Sequence, residues 1–161
     1  MPNWVQNIIT VKPSNIEKLK EVLLNEGEEV DFNKIIPMPE DIFLGNLGDK
    51  EKEKYGEKNW YDWSIANWDT KWNANETIVN DNSIDFQTAW SHPEKVIIQL
   101  SKLLPKVILQ VQYADEDIGS NCGEYRILNG EILSQKVFAS EDNARKFAND
   151  LWGFEEEEES E

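Results

Sequence analysis

One histidine, His92, and one cysteine, Cys122, are the residues of this 161-residue chain that could supply a strong base or a soft nucleophile near neutral pH. A thiolate nucleophile needs a base within hydrogen-bond reach, and nothing in the spacing places these two together. His92 sits in Ser91-His92-Pro93-Glu94, at the start of an apolar helical pattern, where it reads as part of a helix cap. Cys122 lies between Asn121 and Gly123 in a loop. Asp115-Glu116-Asp117 invites a calcium reading. An EF-hand loop begun at Asp115, however, puts Gly119 at the third ligand, Ser120 where glycine is required and Arg126 in place of the closing glutamate. Asp69, Lys71 and Asp85 offer carboxylates and an ammonium group without the spacing of a catalytic pair, and no phosphate-binding glycine loop occurs. The expectation is a protein with no catalytic residues, no metal and no cofactor.

Aromatic residues are the stronger signal, because Trp60, Trp63, Trp68, Trp72 and Trp90 are five of the seven tryptophans. A tryptophan buries well only if its N–H finds a partner, so the concentration implies an aromatic layer or an aromatic binding surface. Spacings of five and four place Trp63, Trp68 and Trp72 on roughly one helical face, with Trp90 at the end of a nearby strand. The expectation is an aromatic mini-core that pins a long insertion onto a sheet, with Lys71 lying over a ring. The alternative is a pocket formed by Trp63, Trp68, Lys71, Trp72 and Trp90.

The elements that must position these residues follow from periodicity. Trp4 to Val11 alternates as a strand, and Ile16, Leu19, Val22 and Leu23 form a helical stripe that Ser14 and Glu17 would box and Gly27 would close. Residues 28–76 are irregular: prolines force Asp31 to Pro39 into an extended path, and a mixed-charge stretch runs from Asp49 to Lys58. Ile78 and Val79, a turn at Asn80 to Ser83, and alternating Ile84, Phe86, Thr88 and Trp90 read as a hairpin. Ser91 and Glu94 suggest a second capping box before Val96, Ile97, Leu100, Leu103 and Leu104. A strand from Val107 to Tyr113, a hairpin around Asn129-Gly130 and a helix capped by Ser140 and closed by Gly153 complete the pattern.

The order predicts an α+β, ferredoxin-like βαββαβ sandwich with a Trp-rich insertion after the first helix and a C-terminal hairpin plus helix. Residues 1–154 would form one domain, with the insertion at 28–76, and 155–161 a disordered acidic tail.

Met1-Pro2-Asn3-Trp4 with Asn7, Phe32 to Pro39, Asn67-Trp68-Asp69-Thr70-Lys71-Trp72-Asn73 and Phe86-Gln87-Thr88-Ala89-Trp90-Ser91 occur in order over roughly residues 1 to 115. Together they resemble the Api92-like (YubB-like) ferredoxin-fold family. The resemblance implies a ferredoxin-like domain of a kind found in bacteriophages, plasmids and related mobile elements, and it brings no catalytic residues with it. This chain departs from the resemblance at Asp69, where relatives commonly have glycine, and in its glutamate tail.

Charge narrows the function. With 32 acidic and 16 basic residues the net charge is −16, and the six glutamates between 155 and 161 account for six of those charges, leaving a body near −10. Such a chain repels phosphate backbones, which excludes direct nucleic-acid binding even if Phe86 and Tyr113 sat on a sheet face as in RNA-recognition modules. No apolar run approaches a membrane span, and a single cysteine fits a reducing bacterial cytosol. The expectation is a non-catalytic acidic binding protein of phage or mobile-element type. Asp62, Asp69, Asp115, Glu116 and Asp117 would dock on a basic surface of a host nucleic-acid-handling or defence protein, in the manner of an anti-CRISPR or anti-restriction inhibitor. The alternative is a small-molecule or nucleotide-binding module that uses the Trp-rich region.

Overall fold

A computed structural model of the chain describes residues 3–153, so the acidic tail expected at 155–161 lies outside the described residues. The first strand, β1 (Trp4–Thr10), buries Val5, Asn7 and Ile9 on one face, as its alternation requires. A short 3-10 turn (Pro13–Asn15) leads into α1 (Ile16–Leu23), whose Ile16, Leu19 and Leu23 face inward. The expected Ser14–Glu17 capping box does not form. Proline holds residues 13–15 in the 3-10 turn, the Asn15 N–H donates to the Lys12 carbonyl, and Glu17 pairs with Lys20 at 3.3 Å instead. Gly27 does not close α1 either: the helix stops at Leu23, and Leu24 bridges Val30 across a small turn held by the Asn25 side chain.

The insertion holds a 3-10 turn (Phe32–Lys34), the exposed helix α2 (Asp49–Tyr55) and α3 (Trp60–Trp68). Then come the hairpin β2 (Asn75–Val79) and β3 (Ser83–Ala89), α4 (Glu94–Leu103), β4 (Leu109–Asp115), the hairpin β5 (Cys122–Leu128) and β6 (Glu131–Gln135), and α5 (Glu141–Trp152). Asn129 and Gly130, both at positive φ, make the tight turn between β5 and β6.

The strands form one antiparallel sheet in the order β2-β3-β1-β4-β5-β6. Its first four members, with α1 and α4 as crossovers, are the split βαββαβ unit, so the fold is ferredoxin-like with a hairpin added at the edge. Leu19 and Leu23 from α1 and Val96, Ile97 and Leu100 from α4 pack against Ile9, Ile84, Phe86, Leu109, Val111 and Ile127. Each such side chain contributes roughly 1.5–3 kcal/mol by leaving water. Alternation turns Ala114 to the opposite face from Val111, yet it is fully buried, because α5 lies across β4 and Trp152 donates its indole N–H to the Ala114 carbonyl at 2.8 Å.

Candidate functional site

His92, just before α4, is part of a buried polar network. The Asn7 amide nitrogen donates to the Val5 and Phe86 carbonyls and to Thr88 Oγ1, and this fixes Asn7 Oδ1 as an acceptor. His92 Nδ1 therefore carries the proton and donates to Asn7 Oδ1 at 2.7 Å, while Nε2 accepts from the Tyr125 hydroxyl at 2.6 Å. The imidazole stacks on Tyr113 at 4.2 Å between centroids. Burial lowers the His92 pKa from 6.5 to about 3, and the same burial, with Glu94 and Tyr113 adding to it, raises that of Tyr125. With both ring nitrogens committed, His92 is not a base for Cys122. That thiol is half-buried on β5, and burial raises its pKa further from the thiolate.

Three of the four sequence motifs meet beside this network as hydrogen-bonded staples. Asp69 ends α3 in the left-handed region at φ 61, which explains why glycine suits this position. Its carbonyl accepts from Ser91 Oγ, and its carboxylate accepts from the Lys95 backbone N–H at 2.9 Å and pairs with Lys95 Nζ at 3.6 Å. The cap of α4 thus comes from Asp69, across space. The expected Ser91–Glu94 box is absent because Ser91 is engaged with Asp69 and Pro93 takes the cap position. Thr70 Oγ1 donates to the Ala89 carbonyl at 2.6 Å, and Asn73 Oδ1 accepts from the Phe32 N–H at 2.9 Å.

The tryptophans divide into two groups. Trp68 is 3 % exposed, packs edge-on against Phe32 and Trp63, and donates its indole N–H to the Ile36 carbonyl at 2.9 Å. Phe32 in turn packs edge-on against Phe86 of β3, so Trp68, with Trp63 packed against it, is the part of the expected mini-core that ties the insertion to the sheet. Trp72 does not share its face: the left-handed Asp69 stops the helix and turns the chain, leaving Trp72 37 % exposed. Trp90 likewise leaves the apolar face of β3. The strand's last partner pair is Trp4↔Ala89, and the chain must then turn out of the sheet, which puts Trp90 at φ 75 and leaves the residue 41 % exposed. A left-handed bulky residue costs about 1–3 kcal/mol and persists only where its surroundings hold it. Here the Trp90 N–H donates to the Asn3 carbonyl and the Trp90 carbonyl accepts from Asn121 Nδ2.

Lys71 lies between the two exposed rings, its Nζ 4.4 Å from the Trp72 centroid and 4.7 Å from that of Trp90. Trp4 extends the row on one side, at 5.9 Å from Trp72, and Tyr61 on the other, at 6.0 Å from Trp90. The acidic loop closes the patch. Glu116 accepts from the Trp4 backbone N–H at 3.0 Å, and Asn121 links Trp90 to the Asp115 carboxylate.

Of the ten residues singled out by sequence, Lys71, Trp72, Trp90, Asp115 and Glu116 thus converge. Asp117 adjoins them in the same loop, exposed and accepting from Ser120. Asp115 is only 6 % exposed and accepts from the Asp117 N–H and Asn121, so it organises the loop and does not present its charge. Asp69 is committed to α4, and Asp62 to a reciprocal cap of α3 with Asn59. Trp68 belongs to the core, and Trp63, half-buried against it, lines a separate shallow cavity with Asp62, Ile65 and Asn67, so neither joins Lys71, Trp72 and Trp90. Trp4, Tyr61 and Asn121 complete the patch without having been singled out. Only tertiary contacts reveal them, although Trp4 was legible as part of a motif.

Asp85 stands apart from Asp69 and Lys71. It lies four residues before Ala89 on β3, about 13 Å along the strand, and burial raises its pKa against the lowering effect of Asn80. Phe86 is fully buried beneath the helices. Among the described residues no group of three His, Cys, Asp or Glu side chains is placed to hold a metal ion, and no helix is long and apolar enough to cross a membrane.

The profile of a family described as the ferredoxin-like domain in Api92-like protein matches residues 67–160. Among solved structures the chain is similar to protein api92 from Yersinia pseudotuberculosis, at 13 % identity and a TM-score of 0.40, over 51 % of this chain and 31 % of that one. The chain therefore spans about a third of that protein's length. No curated protein matches it.

Proposed function

The chain belongs to the family of ferredoxin-like domains in Api92-like proteins, and from that premise we propose that it is a non-catalytic acidic binding protein of phage or mobile-element type. It docks on a basic surface of a host protein that handles nucleic acid, such as a restriction or CRISPR effector, and occupies the channel meant for DNA or RNA. Charge is the observation that carries this reading. A net −16, near −10 without the glutamates of 155–161, steers the chain toward a cationic surface and away from nucleic acid itself. The non-catalytic part of the proposal is supported by the fate of the reactive side chains, since His92 has both nitrogens occupied and Asp69 and Asp115 are spent on internal hydrogen bonds.

Affinity capture from a bacterial lysate tests the proposal. At low ionic strength the protein should retain a basic, nucleic-acid-binding protein that added DNA or RNA displaces. Retention unchanged at about 1 M salt, where the screening length is about 3 Å, refutes it.

A second reading, a module for a small molecule or nucleotide, draws on the half-exposed rings of Trp72 and Trp90 around Lys71. Trp68 cannot contribute to such a site from the core, and Trp63 lines a different cavity. Binding of this kind would survive high salt, and the same capture experiment separates the two.

A further inference from the structure

We infer that Trp72 and Trp90 form a clamp for an arginine side chain of the partner, with Lys71 as the placeholder that fills it in the free protein. This rests on the reading of the chain as an acidic docking protein and names the residues through which it docks. Two tryptophan faces flank one ammonium group at 4.4 and 4.7 Å, in a patch that is exposed on both sides. The negative face of an indole attracts a cation, so the space between the rings is selective by charge as well as by shape.

Lys71 is held there weakly. Among the described residues no carboxylate lies within ion-pair distance of it, since the ion pairs of this chain engage Lys20, Lys58, Lys95 and Lys136. A guanidinium is planar and less strongly hydrated than an ammonium, stacks between two rings, and can donate hydrogen bonds to a neighbouring carboxylate at the same time. Glu116, exposed and tied to Trp4 at the end of the row, is an acceptor of this kind on the patch. The left-handed Trp90 adds a separate observation: its backbone is held in a costly conformation between Asn3 and Asn121, and the effect is to present an apolar ring to solvent. Neutral sugars would gain nothing from a site already filled by a cation, and the phosphates of a nucleotide would meet a chain at −16.

The test measures binding of fluorescent nona-arginine at low salt to the full chain and four variants. Trp72→Leu and Trp90→Asn, the latter chosen because asparagine tolerates a positive φ, should each weaken binding about tenfold. Near-ultraviolet circular dichroism and melting confirm that each variant folds, and Trp72→Leu carries the test alone if Trp90→Asn does not. Lys71→Met should tighten binding about threefold by opening the clamp. Loss of a positive charge would favour a cationic probe by itself, so the same change is repeated in the Trp72→Leu protein, where the gain should vanish. Equal affinities of the parent, Trp72→Leu and Trp90→Asn proteins, or a Lys71→Met gain that persists without Trp72, overturn the clamp and leave acidic docking standing. Failure of the parent protein to bind nona-arginine at all overturns both.

Discussion

Mild acid should destabilise this protein through His92, in the direction opposite to the effect of its overall charge. Burial against Tyr113, with Asn7 and Tyr125 taking the two ring nitrogens, lowers the imidazole pKa from 6.5 to about 3. The unfolded chain takes up a proton near pH 6.5 and the folded chain only near pH 3, so this contribution is complete above 6.5 and is lost as the pH falls through that window. Each pH unit costs about 1.4 kcal/mol, so the loss at pH 5 is about 2 kcal/mol, a large part of the roughly 5–15 kcal/mol that holds a domain together. Neutralising carboxylates acts the other way, because a chain at −16 repels itself less on acidification. His92→Gln separates the two effects: glutamine does not titrate, and every carboxylate stays. Urea unfolding between about pH 7 and pH 5 should show the parent protein losing about 2 kcal/mol relative to the variant. With a single histidine in the chain, its ring protons can be followed directly by NMR and should keep neutral-form shifts down to about pH 4. A ring that titrates near 6.5 in the folded protein, or parallel pH curves for the two proteins, refutes the reasoning.

Three further outcomes follow from the same contacts. Tyr125→Phe removes the donor to His92 Nε2 and leaves a buried acceptor unpaired, which should cost about 2 kcal/mol and lower Tm by roughly 4–8 °C in a thermal melt. Asp69→Ala should cost about 1–2 kcal/mol by chemical denaturation, since it loses the cap of α4 and keeps the left-handed backbone, whereas Asp69→Gly should cost under about 1 kcal/mol because relief at φ 61 offsets the lost cap. Trp68→Ala should cost about 3–5 kcal/mol and Trp72→Ala under about 1 kcal/mol; similar losses would contradict the division of the tryptophans into core and surface.

The ferredoxin-like order was legible because its signals are local. Alternation in Trp4–Thr10 and Leu109–Asp115, the apolar stripes of α1 and α4, the Asn129-Gly130 turn and the Ser140 cap each depend on a few neighbouring residues. Where local signals misled, a partner distant in sequence had taken the group concerned. Ser91 engaged Asp69 instead of boxing α4, and Asp69 capped that helix from 26 residues away. The insertion was legible as an insertion, but its anchoring to the sheet through Thr70 and to α4 through Asp69 depends on partners 19 and 26 residues away.

Composition and periodicity alone determined the acidic charge, the order of strands and helices along the chain and the concentration of aromatic residues, because each is a sum over residues or a local repeat. Only the tertiary structure decided which aromatic rings are core and which are surface. A single left-handed residue at Asp69 and another at Trp90 redirect the chain, and the side a ring then faces depends on where the sheet and the 115–121 loop close around it. His92 shows the same limit from the other direction: its place in the sequence suggests a cap, but β1 and β5 bring Asn7 and Tyr125 to its two nitrogens and make it a neutral strut of the core.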